Sequence, residues 1–188
     1  MTRQDVSYFG SSVVAIRLVF LMWLTYSIEY FYGFNFVFLG IKPRSIEGIP
    51  GIIFAPIIHG SLYHLISNTL PLLFLGTTLF FFYQWIGRIV FLRCYFITNI
   101  LVWIFSPRPT YHIGASGLIY GLAAFLVVFG LLRKNVVSLF ISIIVILLYG
   151  GIFYGVLPGD PQISWESHLA GALVGTVTAF NLAQKRVS

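Results

Sequence analysis

Polar residues in this chain gather between long apolar runs and seldom interrupt them. Six runs are long enough, or nearly so, to cross ~30 Å of hydrocarbon. They cover Val13–Tyr32, Ser61–Tyr83, Ile89–Phe105, Ser116–Leu132, Val136–Tyr154 and His168–Leu182. A segment in lipid has to satisfy its own backbone hydrogen bonds, so the pattern predicts an all-α membrane bundle of six spans. Two breaks stand out. The stretch from Gly33 to Ile58 holds Gly33, Gly40, Pro43, Gly48, Pro50, Gly51 and Pro56, too many breakers for one helix. It also holds Phe34, Phe36, Phe38 and Ile52–Phe54, which predicts a first external loop embedded in the membrane interface. The stretch from Gly155 to Ser167 holds Pro158, Gly159, Asp160 and Pro161 and joins the fifth and sixth runs. It is a candidate lid.

Composition removes the soluble alternatives. Of 188 residues, 59% are hydrophobic and 9% charged, where a soluble domain has roughly 25% charged residues. No repeat, linker or low-complexity tract divides the chain, so 1–188 is read as one domain. Asp5 and a single early Arg3 make a weak leader, and no small-residue cleavage site follows, so the first run is expected to be a retained span. With the N-terminus inside, eight of the eleven Lys and Arg residues fall on the cytoplasmic side. Only Lys42, Arg44 and Arg108 fall outside, which places both termini in the cytoplasm. Topology thereby accounts for the net charge of +6, and no clustered basic patch points to nucleic acid. The single Cys94 excludes an internal disulfide and reads as packing.

Within this apolar background, a few polar residues need a reason. Ser116 opens the fourth run between Gly114-Ala115 and Gly117. Small neighbours allow a tight turn and close approach of a reacting carbonyl. A helix start offers free N–H groups to an oxyanion. The plainer role for Ser116 is an N-cap beside packing glycines. His168 opens the sixth run, on the same outer face by alternation of the spans, and supplies the base that a serine nucleophile requires. A core histidine bonded to a carbonyl is its plainer role. His168, Gly171 and Gly175 share one helix stripe, and Gly117 and Gly121 form a matching small pair, so the fourth and sixth spans are expected to pack closely. Tyr120, four residues after Ser116, is placed to stack on the imidazole or to fill core. Glu166, two residues before His168, does not share its face, and Asp160 lies in the loop. A Ser–His dyad is therefore expected, with no acidic third member. His64 and Asn68 stand four apart on the second span, five and nine residues after His59. They fit an oxyanion hole, an interhelical polar network or, less well, a metal site. No carboxylate or thiolate accompanies the four histidines and no His-Glu-x-x-His occurs, so no metal and no cofactor is expected. His112 is read as interfacial.

Three ordered motifs carry a resemblance: His59-x4-His64-x3-Asn68, Gly114-Ala115-Ser116-Gly117 with Tyr120, and His168-x2-Gly171-x3-Gly175. Together they resemble the rhomboid family of intramembrane serine proteases over nearly the whole chain, in its minimal six-span bacterial form. The resemblance implies Ser116 as nucleophile and His168 as base. It implies His64, Asn68 and the Ser116 N–H as oxyanion hole, with His59 in support. It also implies substrates that are single-span membrane proteins, cut near the outer end of their helix, at an inner (plasma) membrane. Many members carry Trp-Arg in the first loop and Glu-x-Arg near the second cytoplasmic loop. Here Arg44 lacks a preceding Trp, and Gln84–Arg88 contains no acid. The competing functional reading is a non-catalytic relative that binds membrane clients. A small transporter is a second rival, but it would show inverted repeats, which the chain lacks.

Overall fold

The computed structural model describes residues 8–133, 135–158 and 164–184. Six helices organise them: α1 (Tyr8–Tyr32), α2 (Leu62–Phe82), α3 (Gln84–Phe105), α4 (Ser116–Leu132), α5 (Val136–Tyr149) and α6 (Trp165–Gln184). Among the described residues the only β-type pairing is an isolated antiparallel bridge between Ile41 and His112. By length and composition, three helical stretches can cross a membrane: Ser12–Tyr32, Leu62–Phe82 and Gln84–Phe105. Ser116–Leu132 and Val136–Tyr149 are shorter apolar helices. α6 is long, but its buried Glu166, His168, Gly171, Gly175 and Thr178 make it less apolar.

α4 lies at the centre. Leu122, Phe125 and Leu126 are completely buried, and most of its remaining length is buried too. α6 runs against it along glycine. A Cβ on Gly171 would collide with the Gly117 carbonyl, and one on Gly175 with the Gly121 carbonyl. Without a hydrophobic driving force in lipid, such backbone-to-backbone contact is what holds two membrane helices together. α3 approaches α4 from another side through a π-turn at Arg93–Ile97. That turn presents Cys94 to Gly121 and Thr98 to Gly117, so Cys94 is buried packing. α5 closes onto α4 where the Ser142 hydroxyl donates to the carbonyls of Leu126 and Val127, at 3.2 and 3.0 Å. Side chains on the outer faces of α1 and α5, such as Phe20, Phe140 and Leu147, are exposed and apolar.

Several boundaries differ from the sequence expectation. α3 begins at Gln84 and not Ile89. The reversal between α2 and α3 is made by Tyr83 alone (φ −130°, ψ 38°), with no glycine or proline to announce it. The Tyr83 ring is buried edge-on against Phe125 and Phe129, which holds the reversal in place. α5 stops at Tyr149, because at Gly150-Gly151 the chain tightens into a 3-10 stretch, Gly150–Val156. α6 begins at Trp165, ahead of His168. Gly159, Asp160 and Pro161 of the candidate lid lie outside the described residues.

The first loop is a series of short turns, including the single α-turn Gly51–Phe54, and is stitched to α3. Asn99 Nδ2 donates to the Ile52 carbonyl at 3.0 Å and the Tyr95 hydroxyl to the Ile53 carbonyl at 2.6 Å. Ile46, Ile49, Ile53 and Phe54 point outward. No Trp precedes Arg44, yet Arg44 anchors the loop. Its guanidinium donates to the Ser106 carbonyl at 2.7 Å and the Ile104 carbonyl at 3.3 Å, satisfying the open end of α3. Trp103 completes the anchor from the other side, its indole N–H donating to the Ser45 carbonyl at 2.9 Å.

Candidate functional site

Ser116 starts α4, so its N–H and the next few have no intrahelical partner. Its hydroxyl lies 2.9 Å from His168 Nε2, one turn into α6. The far ring nitrogen, Nδ1, lies 2.9 Å from the Gly155 carbonyl. A carbonyl only accepts, so Nδ1 carries the hydrogen, and in the neutral ring Nε2 accepts from the Ser116 hydroxyl. The Tyr120 ring covers the imidazole face, with centroids 4.0 Å apart and planes 9° from parallel. A hydroxyl bonded to an imidazole that is itself fixed on edge and face is an arrangement that can generate an oxygen nucleophile.

α2 supplies the opposite wall. Ser61 caps that helix by accepting from the His64 N–H at 3.1 Å. Asn68, buried one turn below, donates one amide hydrogen to the His64 carbonyl at 2.8 Å. Gly114 has φ +103°, and a Cβ there would stand 2.6 Å from the His64 ring. Glycine at 114 therefore serves both the backbone turn before Ser116 and the seating of His64. His59 is buried, with its ring tilted against His64 at 4.9 Å. Burial pulls its imidazole down to about 3, which keeps it neutral. Ser61, His64, Ser67, Asn68, Ser116 and His168 all line one cavity of about 650 Å³. Among the described residues no group of three His, Cys, Asp or Glu side chains is placed to hold a metal ion.

The rhomboid-domain family model matches residues 47–185, which contain every element of this site. The chain belongs to the rhomboid family. Uncharacterized proteins of Mycobacterium tuberculosis and Mycobacterium bovis are each 36% identical to it over 180 residues, 89% of this chain and 73% of theirs. An uncharacterized protein of Mycobacterium leprae is 32% identical over 198 residues, covering 97% of this chain and 75% of its own. Rhomboid proteins are integral membrane proteins and typically intramembrane proteases, so the apolar helices of this rhomboid have their solvent in lipid.

The sequence reading missed a second polar cluster, which ties α6 to the chain leading into Ser116. Glu166 is buried and paired with Arg108, at 2.6 Å from Nε and 2.5 Å from Nη2. His112, expected at the membrane interface, is buried within the protein. Its ring lies 2.9 Å from the Ser106 hydroxyl and 2.5 Å from the Ser164 hydroxyl. Burial holds His112 below the usual histidine range, consistent with a neutral ring between two hydroxyls. Arg108 and Glu166 are 58 residues apart, so the pair joins the α3–α4 connection to the start of α6. The pair is asymmetric: the Glu166 side chain is 6% exposed and that of Arg108 26%. Removing one partner of a buried pair costs about 3 kcal/mol or more, chiefly from the charge left behind. Arg108→Ala, which strands the buried carboxylate, should therefore lower the melting temperature in detergent more than Glu166→Ala does. Equal losses would rule out the stranded-charge account.

Proposed function

We propose that this rhomboid is a serine endopeptidase that cuts single-span, membrane-anchored proteins near the outer end of their transmembrane helix. The observation that carries this reading is the 2.9 Å approach of Ser116 Oγ to His168 Nε2, from two different helices, at one cavity. In this reading all six helices cross an inner (plasma) membrane, both termini face the cytoplasm and the cavity opens outward. Chain 1–188 works as one domain without cofactor.

His168 Nε2 takes the Ser116 proton as Oγ attacks a substrate carbonyl carbon. The carbonyl oxygen becomes an oxyanion, stabilised by the Ser116 N–H, the His64 ring and the free amide hydrogen of Asn68. As the C–N bond breaks, the imidazolium returns its proton to the leaving amine. Water, deprotonated by the same nitrogen, then attacks the acyl-enzyme and releases Ser116. The polar residues lining the cavity suit it to hold that water. A substrate helix has its carbonyls already bonded, so the cut segment must locally unwind, which favours sites near small or helix-breaking residues.

The deciding experiment incubates the purified protein, in liposomes, with a panel of single-span membrane proteins and maps any cuts. Labelling by a fluorophosphonate is measured in parallel. Cuts near the outer helix end, together with labelling, support the reading. A folded protein that neither labels nor cuts, yet retains clients, is the non-catalytic relative instead. Within the proposed mechanism Asn68→Ala should lower kcat by roughly 10²–10³, the usual effect of losing one oxyanion donor. KM should change little, since the donor acts on charge that develops only in the transition state. A rise in KM at constant kcat would instead assign Asn68 to ground-state binding.

A further inference from the structure

Imidazole bases need a third group to hold the ring and its tautomer. Among the described residues no carboxylate does this: the Nδ1 partner is a carbonyl, and Glu166 is engaged by Arg108. We propose that the backbone carbonyl of Gly155 is the positioning group for His168, and that only glycine at 155 lets it reach the ring. The inference rests on reading Ser116 and His168 as the reacting pair.

Three observations converge. The Gly155 carbonyl accepts from Nδ1 at 2.9 Å. A Cβ built on Gly155 would strike the Tyr120 hydroxyl and stand 3.1 Å from Nδ1. The Tyr120 ring is parallel to the imidazole at 4.0 Å. Gly155, Tyr120 and His168 thus fill one another's space, the ring being gripped on its edge by a carbonyl and on its face by a phenol. The methyl of an alanine has no room between them.

The chemistry follows from the geometry. When Nε2 takes the serine proton, the ring becomes an imidazolium and the Nδ1–H···O=C bond becomes charge-assisted, hence stronger. The carbonyl dipole steadies that charge without accepting the proton. A carboxylate would attract the cation more, but it would bring a second charge with a heavy desolvation cost into an apolar site. A carbonyl brings none. The bond also makes the 3-10 segment Gly150–Val156 part of the base, although no residue of it has to touch substrate.

The test compares, in the full chain in liposomes, Gly155→Ala, Tyr120→Phe, the two combined, and a backbone ester made by placing the α-hydroxy analogue of valine at Val156. The ester weakens the Gly155 carbonyl as an acceptor and changes no side chain. Cleavage kinetics are read beside the ¹⁵N spectrum of the His168 ring, assigned by its loss in His168→Gln. Losing the partner that orients a metal-bound imidazole costs on the order of 10- to 100-fold, and an imidazole base held by one carbonyl is expected to lose a similar factor. Gly155→Ala should therefore lower kcat by about tenfold or more with KM nearly unchanged, and His168 should lose its single Nδ1–H tautomer. Tyr120→Phe removes the clashing oxygen and keeps the ring. The double variant should thus return to the kcat of Tyr120→Phe alone, which ties the loss to this clash, while the tautomer and the ester separate positioning from mere packing. The ester should lower kcat severalfold at an unchanged melting temperature. The proposal is overturned if Gly155→Ala keeps wild-type kcat and tautomer, or if the double variant is no better than the single one while the ester is fully active. Should wild-type protein neither cut nor label, the proteolytic reading fails by itself, while the ring spectra still report whether Gly155 sets the tautomer.

Discussion

Ser116→Ala should bring cleavage of a single-span substrate down to background and abolish fluorophosphonate labelling, with the bundle still folded. The substitution removes one atom. That atom contacts His168 Nε2 at 2.9 Å, and losing one such hydrogen bond costs about 1 kcal/mol, a small change in melting temperature. The backbone N–H that opens α4 stays, and so does the glycine contact between α4 and α6. Loss of a serine nucleophile, in contrast, lowers kcat by about 10⁶. His168→Ala should be nearly as inactive, and the double variant no worse than either single one, since the two groups act as a unit. Kinetics on purified variants would check this. Cleavage by Ser116→Ala at even a hundredth of the wild-type rate, on the order of 10⁴ above expectation, would point to another nucleophile. The candidates would then be Ser61, Ser67 and Ser164, which line the same cavity.

The parts of this site readable from sequence are those that helical periodicity can express. Ser116 with Tyr120, His64 with Asn68, and His168 with Gly171 and Gly175 each lie on one stripe of a single helix. Their spacing alone says that they project together. Alternation of the apolar runs puts the starts of the fourth and sixth runs on one face, and matching glycine stripes say that those two helices touch. Gly155 escaped because its contribution is a backbone carbonyl, which every residue carries. Only the path of the chain after α5 shows where it points. Arg108, Glu166 and His112 escaped for a related reason: an ion pair that closes across 58 residues leaves no local pattern. Arg44 is visible in the sequence, but with no preceding Trp its surroundings are not. Its real partners are carbonyls at the end of α3, and the indole comes from Trp103 on that helix and not from the preceding residue. The α2–α3 reversal was hidden because Tyr83 makes it through a buried aromatic contact, where glycine or proline would have marked it.

Gly171→Val should both destabilise the fold and abolish activity, more sharply than any apolar substitution on the outer face of α6. A Cβ at 171 would collide with the Gly117 carbonyl and stand 3.2 Å from the Gly121 nitrogen. Both obstacles are backbone atoms, so no rotamer change relieves the clash, and α6 has to move off α4. Forcing extra carbon into a packed interface costs about 1–3 kcal/mol. Here it also separates two helices that cohere through close contact. The same displacement opens the Ser116–His168 hydrogen bond, because one residue sits on each helix. A misplacement of ~1 Å is worth on the order of 10² in rate. Gly175→Val makes an internal comparison. It collides with the Gly121 carbonyl one turn further from the reacting pair. Its melting temperature should fall as far, while its residual cleavage should exceed that of Gly171→Val. Leu173→Ala, on the exposed face of α6, should change neither quantity much. If Gly171→Val melts and cleaves like wild type, the glycine stripe is not what brings the serine to its base, and the packing account of this site fails with it.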